Sequence, residues 1–167
     1  EKQPTLLVIA GPTASGKTQA AIAAAEHFKA EILSFDSRQF YRELRIGTAP
    51  PSDEELARVH HHFIHHRSIF EDYDVATFER DAMQLLGRLF GEHHLVVAVG
   101  GSGLFAHALM HGMDDLPPAD PALRRELQLR MASEGLEGML AQLRSLDPLT
   151  YQRIDRHNPR RVVRALE

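Results

Sequence analysis

A glycine-rich loop between an apolar run and an alanine-rich segment narrows the folds open to this chain. The loop, Gly11–Thr18, reads Gly-Pro-Thr-Ala-Ser-Gly-Lys-Thr and matches the pattern G-x-x-x-x-G-K-[ST]. Before it, Leu6–Ala10 has the length and character of a strand buried on both faces. After it, Gln19–Phe28 favours a helix. This order predicts an α/β fold with a parallel sheet flanked by helices, of the P-loop NTPase-like type.

The residue types in this loop suit phosphate binding. Glycine lets consecutive backbone N–H groups point inward at phosphate oxygens, and the N-terminus of the following helix adds partial positive charge. Lys17 supplies an ammonium group, and the hydroxyl of Thr18 suits Mg²⁺. We therefore predict a nucleotide-binding loop of the ATP-binding type, made of Gly11, Pro12, Thr13, Ala14, Ser15, Gly16, Lys17 and Thr18.

The rest of the chain predicts a sheet followed by a helical portion. Strand-like runs occupy 31–35 and 95–99, and Val75–Phe90 has the spacing of an amphipathic helix. Beyond the two prolines at 117–118 the pattern is helical, with segments at 121–133 and 136–146 and from 159 to the end. We expect an α/β core over 1–115 and a helical segment over 116–167, truncated at its C-terminus because the pattern stops inside a helix.

Two polar residues follow predicted strands. Asp36 comes after the second strand, and Ser102 lies in Gly-Gly-Ser-Gly after the third. Open α/β sheets bind ligands at the carboxyl ends of their strands, so both residues are expected beside the glycine-rich loop. A carboxylate there can take a proton from an acceptor nucleophile. A hydrolytic NTPase would have Asp at the end of the later strand, so the pattern favours a transferase.

Composition excludes several classes of site. The chain has no Cys, so a disulfide framework, an iron–sulfur cluster and a thiolate zinc site are ruled out. Its apolar runs are strand-sized, and we expect no membrane segment. The net charge of −4 argues against nucleic-acid binding by bulk electrostatics alone, although arginines concentrate near the C-terminus. From composition alone, a solvent-exposed helix face is the favoured interpretation of these arginines.

Histidines gather between 60 and 66, which raises the question of a metal site. Adjacent histidines on a strand point to opposite faces and cannot all share one ion. Zinc sites also favour fixed helical spacings or a carboxylate partner. We therefore expect a polar segment in which one or two histidines meet bound ligands.

An ordered series of motifs resembles the tRNA dimethylallyltransferase family. The series begins with the glycine-rich loop and continues through the C-terminal residues. Its later members are Asp36–Tyr41, Ile46–Ala49, Gly100–Phe105, Leu116–Pro117, Ala119–Pro121 and Asn158–Glu167. The sequence departs from the family pattern in Ser102 for a frequent Thr, Phe105 for Tyr, Pro50 for Lys and Asn158 for Asp.

The resemblance implies an activity and a role for each motif. It implies that the loop holds the diphosphate of dimethylallyl diphosphate with Mg²⁺ at Thr18, and that the dimethylallyl group passes to N6 of the adenosine beside the tRNA anticodon. Asp36 would be the general base and Ser102 would help to place the adenine. The tRNA-binding residues implied are Asp36, Ser37, Arg38, Gln39, Ser102, Arg124, Arg160, Arg161, Val162, Val163 and Arg164.

Other functions remain open on the sequence alone. A small-molecule kinase shares the loop and an Asp at a strand end, and a related prenyltransferase acts on free adenine nucleotides. A nucleotide-sensing module would bind without turnover. We expect a cytoplasmic monomer, and we hypothesise that the 167-residue chain by itself binds the diphosphate but is weak or inactive on tRNA.

Overall fold

The computed structural model describes residues 3–113 and 120–167. The chain divides into two compact units, Glu1–Asp114 and Asp115–Glu167. The predicted boundary after residue 115 and the motif positions at 116, 117 and 119 lie outside the described residues. Within 3–113 and 120–167, every helix is too short or too polar to cross a bilayer.

The first unit is built on a four-stranded parallel sheet of order β1-β4-β2-β3. Its strands are β1 (Thr5–Ala10), β2 (Ile32–Ser34), β3 (His61–His62) and β4 (Leu95–Gly100). Its helices are α1 (Lys17–Phe28), α2 (Asp53–Arg58), α3 (Val75–Glu92) and α4 (Gly103–His111). The predicted α/β fold and parallel sheet are confirmed.

Apolar side chains cover both faces of this sheet. All six residues of β4 are buried, as expected for a strand between two layers. One face packs against α3 and α4 through an aromatic cluster in which Phe78 lies 5.4 Å from the Phe40 ring and 5.1 Å from the Phe105 ring. The other face packs against Ile22 and its neighbours on α1. Phe105 is partly buried and packs against this cluster.

The second unit is helical, as predicted. It contains α5 (Pro121–Leu146), α6 (Pro148–Arg153) and α7 (Pro159–Leu166). Gly135 interrupts α5 with a φ of 73°, a left-handed conformation that glycine adopts without steric cost. The two predicted helices at 121–133 and 136–146 therefore meet at this kink. Leu127, Met139, Leu143 and Val162 form the buried centre of this unit.

Candidate active site

Three loops of the first unit meet at the carboxyl edge of the sheet. Because β1, β4 and β2 are parallel neighbours, the segments that follow them leave the sheet side by side. The approach is close at Gly101, where a Cβ would lie 3.1 Å from the Gly11 carbonyl oxygen and 3.6 Å from Asp36 Oδ2. The glycine-rich loop, Asp36 and the Ser102 loop are thus brought together, as the strand pattern predicted.

The glycine-rich loop passes from β1 into α1 through left-handed backbone. Gly16, the N-cap of α1, has a φ of 80°, and Ala14 has a φ of 62°. The Lys17 ammonium donates a hydrogen bond of 2.9 Å to the Pro12 carbonyl oxygen, so it bends back over the loop. An anion in the loop would meet this ammonium and the N-terminus of α1.

A cavity of ≈ 230 Å³ lies over this loop. Residues from both predicted motifs line it, together with others that the motif analysis did not assign to the site. The lining residues are Thr13, Ala14, Ser15, Gly16, Lys17, Thr18, Gln19, Asp36, Gln39, Ala49, Pro50 and Glu55. The cavity therefore combines phosphate-binding groups with the carboxylate of Asp36.

Asp36 is buried, with 6% of its surface exposed, and lines the cavity. Its backbone N–H donates to the Ser34 hydroxyl at 3.3 Å, and the Arg38 N–H donates to Asp36 Oδ1 at 3.3 Å. The second of these bonds contacts the carboxylate and restrains its orientation. A fixed carboxylate beside a ligand cavity is the geometry that a general base requires.

Ser102 is joined to the segment that carries Asp36. Its hydroxyl lies 3.0 Å from the Ser37 hydroxyl and accepts a hydrogen bond of 3.2 Å from the Ser37 N–H. The loop after β4 is therefore tied to the loop after β2, although 65 residues separate the two serines. The two predicted catalytic positions, Asp36 and Ser102, are close neighbours.

Arg38 and Gln39 make different contacts. The Arg38 guanidinium donates to Thr13 Oγ1 at 3.3 Å, which places it over the glycine-rich loop. The Gln39 amide donates to the carbonyl oxygens of Thr48 at 3.0 Å and Ala49 at 2.9 Å. Gln39 is buried, and its NH₂ group holds the turn that forms one wall of the cavity.

Helix α2 contributes a wall that the motif analysis did not include in the site. Ser52 and Glu55 form a capping box at its start, as their spacing indicates. Glu55 also accepts a hydrogen bond from the Gln19 side chain in the first turn of α1. The spacing from Ser52 to Glu55 revealed the helix, but its position against α1 depends on the tertiary fold.

In the second unit, several predicted RNA-contact residues share one cavity of ≈ 390 Å³. Arg124, Arg160, Val163 and Arg164 line it. Glu167 binds two of these arginines, with 3.0 Å from Arg124 Nη2 to Glu167 Oε2 and 2.5 Å from Arg164 Nη1 to the same oxygen. The hydrogen bond from Arg124, with the one from Arg164, lowers the pKa of Glu167 to about 2.

Two members of the predicted segment are placed differently from these arginines. The side chain of Val162 is fully buried, so a contact with RNA could involve only its backbone. Arg161 is exposed beside a second cavity of ≈ 520 Å³ that Arg160 and Arg164 also line. The segment therefore buries Val162 and exposes Arg160, Arg161 and Arg164, as a helix with one face on the core does.

The histidine segment begins at the opposite edge of the sheet. His60 precedes β3 and His62 lies within it, whereas the glycine-rich loop and Asp36 follow their strands. His60 and His62 come together with Glu31, and their ligand atoms lie within 4.8 Å of one another. Reasoning from adjacent histidines missed this group, because it combines two histidines two positions apart with a carboxylate that precedes the neighbouring strand β2.

Comparison with known proteins gives a consistent family. The family model described as IPP transferase matches residues 39–167. A curated protein of Christiangramia forsetii described as tRNA dimethylallyltransferase is 48% identical over 162 residues, which cover 97% of this chain and 54% of that protein. The chain spans about half the length of the curated relatives it matches.

Solved structures show the same relation. A tRNA isopentenylpyrophosphate transferase from Bacillus halodurans is 36% identical with a TM-score of 0.65, and the match covers 99% of this chain and 55% of that one. A eukaryotic dimethylallyltransferase described as acting on tRNA has a TM-score of 0.79 at 23% identity, over 97% of this chain and 40% of that one. The second likeness supports the fold alone.

Proposed function

Because this chain belongs to the IPP transferase family, we propose that it acts in the transfer of a dimethylallyl group from dimethylallyl diphosphate to tRNA. In this proposal the glycine-rich loop holds the diphosphate and Asp36 is the general base. The acceptor is N6 of the adenosine beside the anticodon. The observation that carries the proposal is the buried Asp36 carboxylate lining one cavity with the glycine-rich loop. The loop can bind an anion, and the carboxylate can accept a proton from the acceptor amine.

The chemistry explains why both parts are needed. An adenine amine is a poor nucleophile, because its lone pair is delocalised into the ring. In the proposed step, N6 forms a bond to C1 of the dimethylallyl group, the C1–O bond breaks and diphosphate leaves. Asp36 takes the proton that N6 loses, which contributes roughly 10²- to 10⁴-fold. The loop N–H groups and Lys17 stabilise the charge on the departing diphosphate.

The residues around the loop fit a bound Mg²⁺. Thr18 offers a hydroxyl in the cavity, and an oxygen ligand of this kind suits Mg²⁺ when substrate phosphate oxygens and water complete the set. We propose that Thr18 holds the ion. Bound there, Mg²⁺ would neutralise charge on the diphosphate.

The tRNA contacts are proposed for two groups of residues. Ser37, Arg38 and Ser102 lie beside the Asp36 cavity, and Arg124, Arg160 and Arg164 line a cavity of the second unit. Arginine suits both phosphates and an extruded base because its planar fork donates several hydrogen bonds. A tRNA substrate agrees with the cytoplasmic location expected from the sequence; that location and the monomeric state stay predictions.

Incubation of the protein with radiolabelled dimethylallyl diphosphate and tRNA tests the proposal, with an adenine nucleotide as a second acceptor. We expect label in tRNA and little in the nucleotide. Asp36→Asn should lower transfer by roughly 10²- to 10⁴-fold and leave diphosphate binding intact. Asp72→Asn, a change at an exposed Asp, is the matched control and should behave like wild type.

Two results would overturn the proposal. Transfer of phosphate from ATP to a small molecule, without prenyl transfer, would instead identify a kinase. Unchanged turnover by Asp36→Asn would remove Asp36 as the base. Binding of dimethylallyl diphosphate and transfer to tRNA are measured separately, so that a loss of transfer can be told apart from a loss of binding.

A further inference from the structure

Glu31, His60 and His62 meet where β2 and β3 begin. The two strands are parallel, with Ile32 opposite His61, and the Ile32 N–H donates to the His60 carbonyl oxygen at 2.9 Å. Residues two apart on an extended chain point to the same side, so His60 and His62 share a face. Glu31 precedes β2 and joins them there.

The three side chains bring ligand atoms close to one point. His62 Nε2 lies 2.6 Å from Glu31 Oε2, and the rings of His60 and His62 are 4.3 Å apart between centroids. One ligand atom from each of the three residues lies within 4.8 Å of the other two. A tetrahedral zinc site with bonds of about 2.1 Å spaces its ligand atoms by about 3.4 Å. Small side-chain rotations therefore suffice.

A further histidine faces the same carboxylate. His93 Nδ1 lies 3.1 Å from the Lys29 carbonyl oxygen, which can only accept, so Nδ1 carries the proton. In the neutral ring, Nε2 then directs its lone pair at Glu31 Oε1, 3.7 Å away. His93 can support Glu31 from outside the ligand set.

The surroundings provide space and a suitable charge. A cavity of ≈ 270 Å³ opens at these residues, and Arg88 and Glu92 of α3 also line it. The Arg88 charge opposes a cation, but two carboxylates, Glu31 and Glu92, outweigh it. The lining therefore carries a net negative charge when the histidines are neutral.

We propose that Glu31, His60 and His62 form a binding site for a divalent transition-metal ion, with Zn²⁺ as the preferred ion. Two imidazoles and one carboxylate are a common zinc ligand set, which leaves a fourth position for water or Glu92. The ion replaces the proton that His62 shares with Glu31. Imidazole ligands disfavour Mg²⁺ and Ca²⁺, which prefer oxygen.

This site is separate from the candidate active site, because it lies at the amino edge of the sheet. Its role is therefore structural: it fastens the two-residue strand β3 to β2. The chain that continues from β3 reaches the active-site loop, since the His65 N–H donates to the Gln39 carbonyl oxygen at 2.8 Å and the Arg67 N–H donates to the Phe40 carbonyl oxygen at 2.9 Å. A bound ion would steady that loop from a distance.

Zinc titration of the untagged protein by calorimetry, after treatment with a chelator, tests the site. His107 and His111 lie one helical turn apart on α4, with rings 4.8 Å apart, and can bind zinc by themselves. The His107→Asn variant lacks that pair and is the background protein for the titration. In it we expect one equivalent of Zn²⁺ to bind and to raise the melting temperature.

His60→Asn is the decisive variant, because His60 is exposed and its replacement leaves the core intact. Added to the His107→Asn background, it should weaken zinc binding at least about tenfold and remove the rise in melting temperature. Glu31→Gln should do the same. Zinc binding that is absent in the background protein, or unchanged by His60→Asn, would overturn the proposal.

Discussion

The hydroxyl of Ser102 lies 3.0 Å from the hydroxyl of Ser37 and accepts a hydrogen bond from the Ser37 N–H. This pair fixes the loop after β4 to the segment that begins with the proposed base, Asp36. A substrate held by Ser102 would thus be aligned with the group that removes its proton. The same contact stabilises both loops, because the two hydroxyl groups are partly buried and each would otherwise lose a hydrogen-bond partner.

Ser102→Ala should lower kcat/KM for tRNA roughly 10- to 100-fold, because small misplacements of reacting groups are costly. The unfolding free energy should fall by about 1 kcal/mol through loss of the two hydrogen bonds to Ser37. Ser102→Thr keeps the hydroxyl and should remain near wild type. Steady-state kinetics and urea denaturation measure the two effects; equal activity of both variants would contradict the role of the hydroxyl.

Lys17→Met should weaken binding of dimethylallyl diphosphate about 10- to 100-fold. The reason is the loss of a charge-assisted hydrogen bond to the diphosphate, which contributes about 1.5–3 kcal/mol. The ammonium contacts Pro12 of the same loop and needs only a rotation to reach a bound phosphate. Calorimetric titration measures the affinity. Lys29→Met, a change beyond the far end of α1, is the matched control and should bind as wild type does.

Gly100→Ala should destabilise the first unit by about 3 kcal/mol. A Cβ at Gly100 would lie 2.5 Å from Phe35 Cδ2 and 2.7 Å from the Phe35 carbonyl carbon, so the backbone must move. Gly87→Ala, on an open part of α3, should instead stabilise by about 0.5–1 kcal/mol. Denaturant melts compare the two; similar stability of both variants would show that Gly100 is not tightly packed.

Arg160→Gln should weaken tRNA binding at every sequence tested and reduce the slope of log affinity against log salt by about 0.7–0.9. Arg160 lines both cavities of the second unit and is exposed. Filter binding over a range of salt concentrations gives the slope. Arg153→Gln, in the last turn of α6, is the control and should keep the wild-type slope.

The protein should lose stability as the pH falls from about 6.5 to about 4. Burial lowers the pKa of His66 to about 4, and both ring nitrogens are shielded from solvent among the rings of Phe40, Phe63 and Tyr73. In this range the unfolded chain binds a proton at His66 and the folded chain does not, so acid favours unfolding.

His66→Leu should flatten the dependence of unfolding free energy on pH over that range. Part of the pH dependence should remain in this variant, because burial also lowers the pKa of His65. Urea melts at several pH values measure the effect. A His66→Leu protein with the wild-type profile would contradict burial of a neutral ring at this position.

Local sequence patterns predicted much of the fold. The run before the glycine-rich loop became β1, and the amphipathic spacing from Val75 became α3. The Ser52–Glu55 spacing marked the start of α2. Strand propensity, helical periodicity and capping depend on residues a few positions apart, so the sequence carries them directly.

The amino-acid sequence by itself determined the phosphate-loop motif, the α/β class and the candidate residues at the strand ends. The strand order, the contact of Ser37 with Ser102 and the meeting of Glu31 with His60 and His62 were decided only by the tertiary structure. Such contacts join residues about thirty to ninety positions apart. They depend on which strands pair and on how the helices pack over them, and neither is determined by the residues of one short segment.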